Sequence, residues 1–253
     1  MILGCTPTHP FSNAAKHFNV PYTLTAQNLN TNPHQSEFSG KIAKRYPEVP
    51  SVSHAVIRGS VGFGLVSLAA FSVWAFGGKW FQSNLGEAGL FGACAFVFVA
   101  LSGLLLHPLV KGPGSLFRFY SVFIPAFLAY AIAWCIAWFA LRFGPGEWLG
   151  SLLGSACFVS VMSCRMRSTR GWIQTSLILF ALHSAGYFLG GKMMHWILGP
   201  AGSALFTGLS KAGLLVLAKL AWGLLYGFGF GAGIGYAFHA VQKDKAQPDD
   251  RGG

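Results

Sequence analysis

The side chains that could do chemistry in this chain are defined first by a shortage. Among 253 residues there are seven acids: Glu37, Glu48, Glu87, Glu147, Asp244, Asp249 and Asp250. No Asp precedes position 244. Paired carboxylates serve as acid–base couples, Mg²⁺ ligands, di-metal bridges and intramembrane proton relays. Such mechanisms have almost no raw material here. There is no nucleotide-binding motif and no recognisable catalytic constellation, so the chain is expected not to be an enzyme. A serine hydrolase would need a serine in a GxSG-like setting with a base, whereas the chain offers Gly-Ser-Ala-Cys at 154–157.

The histidines are the remaining titratable groups of interest. His183 lies near the middle of a long apolar run, with Ser184 and Tyr187 close by. An ionisable residue at that depth is costly and marks a candidate intramembrane polar site. His107 and His239 each end an apolar run and are candidate histidines of the cytoplasmic face. They could bind a metal or haem together or titrate as a pair, or sit among headgroups where amphipathic rings are comfortable. No cofactor is indicated outright, and a haem reading through His107, His183 or His239 stays open. The five cysteines (Cys5, Cys94, Cys135, Cys157, Cys164) form no CxxC and no zinc-type spacing, so no metal site is expected.

Small residues form the clearest pattern. Gly223, Gly227, Gly231 and Gly235 repeat every four positions in LLYGFGFGAGIGYAFH, which places them in one stripe of a helix, in the manner of a glycine zipper. Gly229 and Gly233 form a second stripe on another face. Gly150 and Gly154, with Ser151 and Ser155, repeat the spacing earlier in the chain. Such stripes let a neighbouring backbone approach closely, within the chain or across a homo-oligomer.

These residues are positioned by the elements that composition demands. The chain is 53% hydrophobic and 10% charged, against about a quarter charged in ordinary soluble domains. That points to an integral membrane protein. Charge-free intervals of about 20 residues, enough to cross a bilayer as helices, recur six times. They predict spans at about 57–78, 88–110, 119–141, 148–165, 171–191 and 219–241. No acid falls inside them. Residues 193–212 are apolar but hold His195, Pro200 and small polar residues; a re-entrant or interfacial segment is expected there, with Lys211 and Lys219 on one face of a helix leading into span six. Residues 1–55, rich in Pro, Asn, Thr and Ser, read as an irregular cytoplasmic tail, and 243–253 as a short tail that frays.

Orientation follows from the basic residues. Placing both termini inside gathers Lys16, Lys41, Lys44, Arg45, Arg58, Lys111, Arg118, Arg165, Arg167, Arg170, Lys243, Lys245 and Arg251 on one side. Only Lys79, Arg142, Lys192, Lys211 and Lys219 remain for the other. The positive-inside bias therefore predicts N-in and C-in in a plasma membrane or bacterial inner membrane. The loop Arg165–Arg167–Arg170 would face anionic lipids, and no recognition module accompanies it for nucleic acid. The expected fold is an all-α bundle of six spans over 56–242. Its expected role is a non-catalytic accessory, assembly or oligomerising subunit, as a homo-oligomer or within a larger membrane complex. The alternative is a transporter or channel for a small or apolar substrate, with spans four and six lining the path.

Overall fold

The computed structural model describes residues 49–246 apart from 169. The tail expected over 1–55 lies, up to residue 48, outside the described residues, as do 247–253. The described chain is helical throughout, with no strand: α1 (Val52–Asn84), α2 (Gly86–Leu106), a single 3₁₀ turn (His107–Leu109), α3 (Ser115–Leu141), α4 (Phe143–Met166), α5 (Trp172–Leu198), α6 (Pro200–Leu205) and α7 (Lys211–Ala246). Six of these are long and apolar enough to cross a membrane.

The helices overrun the charge-free intervals, because a helix continues past its apolar stretch while long basic side chains reach toward polar surroundings. α1 begins at Val52, where the Ser51 hydroxyl accepts from the His54 amide at 3.3 Å. α7 continues to Ala246, into the tail expected over 243–253. Its last turns are tied down by Gln242, which donates to the Leu109 carbonyl at 2.8 Å and accepts from the Lys111 amide at 3.2 Å. Ser168 also donates to Asp244 at 2.5 Å. Trp80, Trp148, Trp172 and Trp196 are all exposed near helix ends.

Residues 193–212 do not form a span of their own. α5 runs on to Leu198, the six-residue α6 follows, and α7 starts at Lys211. At about 1.5 Å per residue α6 is far too short to cross a bilayer. A small cluster of Ile197, Leu214 and Ala218, backed by Met194 and Phe206, packs this turn. Lys211 and Lys219 lie on α7 itself, Lys219 in its third turn. The Lys219 ammonium donates to the Trp74 carbonyl at 3.3 Å and sits 4.4 Å from the Trp74 ring centre.

Neighbouring helices form a ring in the order α1, α2, α3, α4, α5, α7, closed by α7 between α5 and α1. The α7 seams depend on glycine. Gly223, Gly227, Gly231 and Gly235 lie successively against Phe71, Ser67, Phe63 and Ala55 of α1. A Cβ on Gly231 would stand 2.6 Å from the Phe63 Cβ, and one on Gly227 2.8 Å from the Gly64 Cα. Gly229 and Gly233 meet α5, with a Gly229 Cβ 2.8 Å from the Gly186 Cα. Residue numbers fall along one partner as they rise along the other, so both pairs are antiparallel. Both stripes are occupied by helices of the same chain. That leaves neither as a free face for a second copy.

α3 and α4 are joined by the single residue Arg142, at φ 53°. This positive φ is unusual for a residue with a Cβ. The turn can be so short because Gly146, Gly150 and Gly154 of α4 face Trp138, Trp134 and Tyr130 of α3. α4 has the largest buried share of any span, 50%.

Two substitutions test the α7 seams. Gly227→Leu and Gly231→Leu each force a side chain into α1 and should destabilise the fold by about 1–3 kcal/mol. Gly92→Ala, with nothing within 4 Å of its Cβ, should not destabilise it. Reversible unfolding of the three variants in detergent measures this, and equal stability of all three would contradict the packing account.

Candidate functional site

The interior of the ring has two unlike halves. At the end of the bundle carrying Val52 and Ala246, called the terminal end, it is filled with phenylalanine. Phe119, Phe123 and Phe127 recur every four residues of α3 and stack at 5.0 and 5.4 Å. Phe238 of α7 stacks on Phe119 at 5.3 Å, and Phe158 of α4 meets both Phe123 and Phe230 edge-on. Leu106, Met162, Leu179 and Ile234 complete this fully buried half.

Beyond Phe127 the same α3 face presents Tyr130, and the character changes. The Tyr130 hydroxyl and His183 Nε2 of α5 are 2.6 Å apart. His183 has no exposed surface. Rings of Tyr130, Tyr226 and Phe230 surround it edge-on at 5.5, 5.5 and 5.1 Å, and Tyr187 stacks at 6.1 Å. One turn toward the far end, Tyr187 donates to the Glu147 carboxylate of α4 at 3.1 Å. Trp134 of α3 and Trp222 of α7 flank Tyr187 at 6.2 and 5.7 Å.

Helical spacing explains the convergence. Glu147, Ser151 and Ser155 are four residues apart on α4, on the buried face that leads to Phe158. His183 and Tyr187 are four apart on α5, and Tyr226 and Phe230 on α7. Several polar atoms here are buried without a partner among the described residues: His183 Nδ1, the hydroxyls of Ser151, Ser155 and Ser184, and the indole N–H groups of Trp134 and Trp222. Nδ1 is unpaired in either neutral tautomer. It is a donor when Tyr130 donates to Nε2, and an acceptor when Nε2 donates to Tyr130. Each buried, unpaired group costs about 1–3 kcal/mol, so a cluster of them is expensive to keep.

Of the residues singled out from sequence, His183, Ser184 and Tyr187 are all on α5. His183 and Tyr187 face the interior. Ser184 falls between Phe180 and Phe188 on the stripe that meets Trp148 of α4. Ser151 and Ser155 do not bond their own backbone, as apolar-helix serines commonly do and as Ser72 and Ser176 do here. His107 and His239 have separate partners. His107 Nδ1 lies 3.0 Å from the Ser115 hydroxyl, and His239 Nδ1 lies 2.8 Å from the Pro50 carbonyl. Arg165, Arg167 and Arg170 are exposed at the terminal end. No group of three or more His, Cys, Asp or Glu side chains suited to a metal forms among the described residues.

Site residues that escape the sequence reading include Glu147, Tyr130 and Tyr226. Glu147 lies inside α4 rather than bounding it, as Glu87 lies in the first turn of α2 and Asp244 near the end of α7. Tyr130 belongs to a run read only as apolar. The four-residue spacing of Glu147, Ser151 and Ser155 is the sequence signal that could have found the first.

Compared with known proteins, the chain matches no family model, no curated protein and no solved structure. Fold and composition define the class: an all-helical chain compatible with a multi-pass integral membrane protein.

The Tyr130–His183 bond is measurable by a double-mutant cycle of Tyr130→Phe and His183→Leu. Interhelical hydrogen bonds in membranes are worth about 0.6 kcal/mol on average and about 1.7 at most. Full burial places this pair toward the upper end. Additive effects in detergent unfolding would show that the two side chains are not coupled.

Proposed function

We propose that this membrane protein admits a small polar or protonatable solute from the far end of the bundle to a mid-membrane site. Glu147 and Tyr187 form its approach, and His183 with Tyr130 its floor. One observation carries this reading: the wholly buried His183, bonded on one nitrogen only, within a cluster of unpaired hydroxyl and indole groups. Ionisable side chains at such depth characteristically face protein interiors and mark solute or proton paths. The phenylalanine half blocks the other direction, so the arrangement suits a gated carrier better than an open pore. Expected spans four and six (α4 and α7) contribute Ser151, Trp222 and Tyr226, and α3 and α5 supply the remainder. We keep the terminal end on the cytoplasmic side because it gathers most of the basic residues.

The second reading, a non-catalytic accessory or assembly subunit, is favoured by α2. Only 22% of its apolar window is buried, the least of the six spans, and Phe91 and Phe96 are 63% and 73% exposed. That flank could meet another subunit, or another copy of this chain, as readily as lipid. The glycines of α7 are taken up inside the chain and would not form such a contact.

Reconstitution into proteoliposomes separates the two. Carriage predicts uptake of protons or of some member of a small polar solute panel. His183→Ala and Glu147→Gln should each reduce it by about tenfold, the worth of roughly 1.4 kcal/mol, while the protein keeps its detergent-measured mass and fold. No uptake over the panel, or uptake indifferent to both changes, would overturn carriage. Co-purification of a partner lost in Phe96→Ser but not in His183→Ala would favour the subunit reading.

A further inference from the structure

A second site is built at the opposite end of the bundle, and it does not depend on the mid-membrane cluster. Where α1, α5 and α7 meet at the terminal end, an open cleft of about 230 Å³ is lined by Arg170, Gly171, Tyr236, His239, Lys243 and Asp244. His239 is only 8% exposed. The Pro50 carbonyl can only accept, so the 2.8 Å contact requires the proton on His239 Nδ1. Nε2 has no hydrogen-bond partner among the described residues, and His239 is one of the residues that line the cleft. The 27-residue helix α5 follows its N-cap Gly171, with no side chain capping its first turn. Its free N–H groups carry the positive end of the helix dipole to the cleft. Arg170 and Lys243 are exposed at the rim.

These groups all suit an anion, and their charges limit which one. Arg170 and Lys243 are offset by Asp244, already held by Ser168. The formal excess is a single positive charge while His239 is neutral, which matches a monoanionic phosphodiester better than a phosphate dianion. The volume is below the roughly 300 Å³ at which drug-sized pockets begin, and so suits a headgroup fragment. Trp172, 42% exposed one residue beyond the cleft, is the kind of side chain that sits at headgroup level.

We propose that this cleft binds the phosphodiester of an anionic membrane lipid. Arg170, Lys243 and Tyr236 would hold its oxygens, and the α5 amide groups and His239 would face it from below.

The test uses the full chain in a neutral detergent, titrated with dihexanoyl-phosphatidylglycerol, with inorganic phosphate and sulfate as separate arms. Melting temperature is read as a function of concentration. The short-chain lipid should raise it saturably. In Arg170→Gln/Lys243→Gln the apparent affinity should fall by about tenfold or more, as expected for losing charge-assisted hydrogen bonds. Arg165→Gln/Arg167→Gln removes the same charge from the same end and should leave the affinity within about twofold. Lys243→Gln and Tyr236→Phe singly, each a smaller change, should weaken binding in the same direction should the double variant fail to fold. Equal loss in the Arg165/Arg167 control would reduce the effect to a general positive field and overturn the proposal. So would an equal response to inorganic phosphate or sulfate, or no response to the lipid.

Discussion

The close approach of α7 to two neighbours at once is the constraint on which the bundle rests. In lipid there is little hydrophobic gain from bringing helices together, so contact must come from packing and hydrogen bonds. Glycine on two faces of α7 removes the side chains that would otherwise hold α1 and α5 away. The freed distance is used directly: Ser67 donates to the Gly223 carbonyl at 2.6 Å, and Ser60 to the Phe228 carbonyl at 3.0 Å. Those bonds cross the seam where larger residues on α7 would have kept the hydroxyls out of reach. With α7 drawn in, the ring closes around a volume that stacked aromatic rings can fill.

How it is filled differs along the axis, and the difference has a physical cost attached. The terminal half holds mostly phenylalanine and aliphatic residues, and among the described residues the Ser102 hydroxyl near the end of α2 is the one buried side-chain polar atom there without a partner. The far half holds Tyr, Trp, His, Ser and Glu, with six of their polar atoms buried and unpaired. Stability alone would favour extending the phenylalanine stack through both halves, since replacing both partners of a buried polar pair by apolar groups is often neutral or better. The polarity of one half is therefore a feature that stability does not explain, and this asymmetry directs the functional reading.

Much of the bundle was legible in the sequence because its signals are local. Apolar runs between charges located all six long helices, and the four-residue spacing of Gly223, Gly227, Gly231 and Gly235 put them on one face. Which helix lies against that face is a long-range fact: Gly231 meets Phe63, far away in sequence, and no local pattern names the pairing. The site was half legible for the same reason. His183 stands out as an ionisable group in an apolar run, but Tyr130 is 53 residues away and looks like any other aromatic there. From sequence Glu147 marks the edge of a span, because a charge normally ends one. Its bond to Tyr187 from α5 makes a position inside α4 tolerable, and that bond spans 40 residues. The segment 193–212 was ambiguous because composition does not distinguish a helix's last turns from a separate element.

The glycine seams also bear on how the site could work. They divide the ring into two tightly packed groups: α3 with α4, through Gly146, Gly150 and Gly154, and α1 with α7 and α5, through the stripes of α7. Within each group a change of spacing is resisted by backbone-to-backbone contact. Between the groups the contacts are made by side chains, among them Tyr130 with His183, Glu147 with Tyr187, Trp148 with Phe180 and Phe188, Phe119 with Phe238, and Phe158 with Phe230. Both hydrogen bonds of the candidate site therefore join the two groups, between which the helices can shift without breaking a glycine seam. A rigid-body displacement of the two groups would lengthen the Glu147–Tyr187 and Tyr130–His183 bonds together, and a solute offering its own donor and acceptor could take their place. Small-residue seams and a polar cluster thus perform complementary tasks: the first fixes which parts move as units, and the second puts the exchangeable bonds between them.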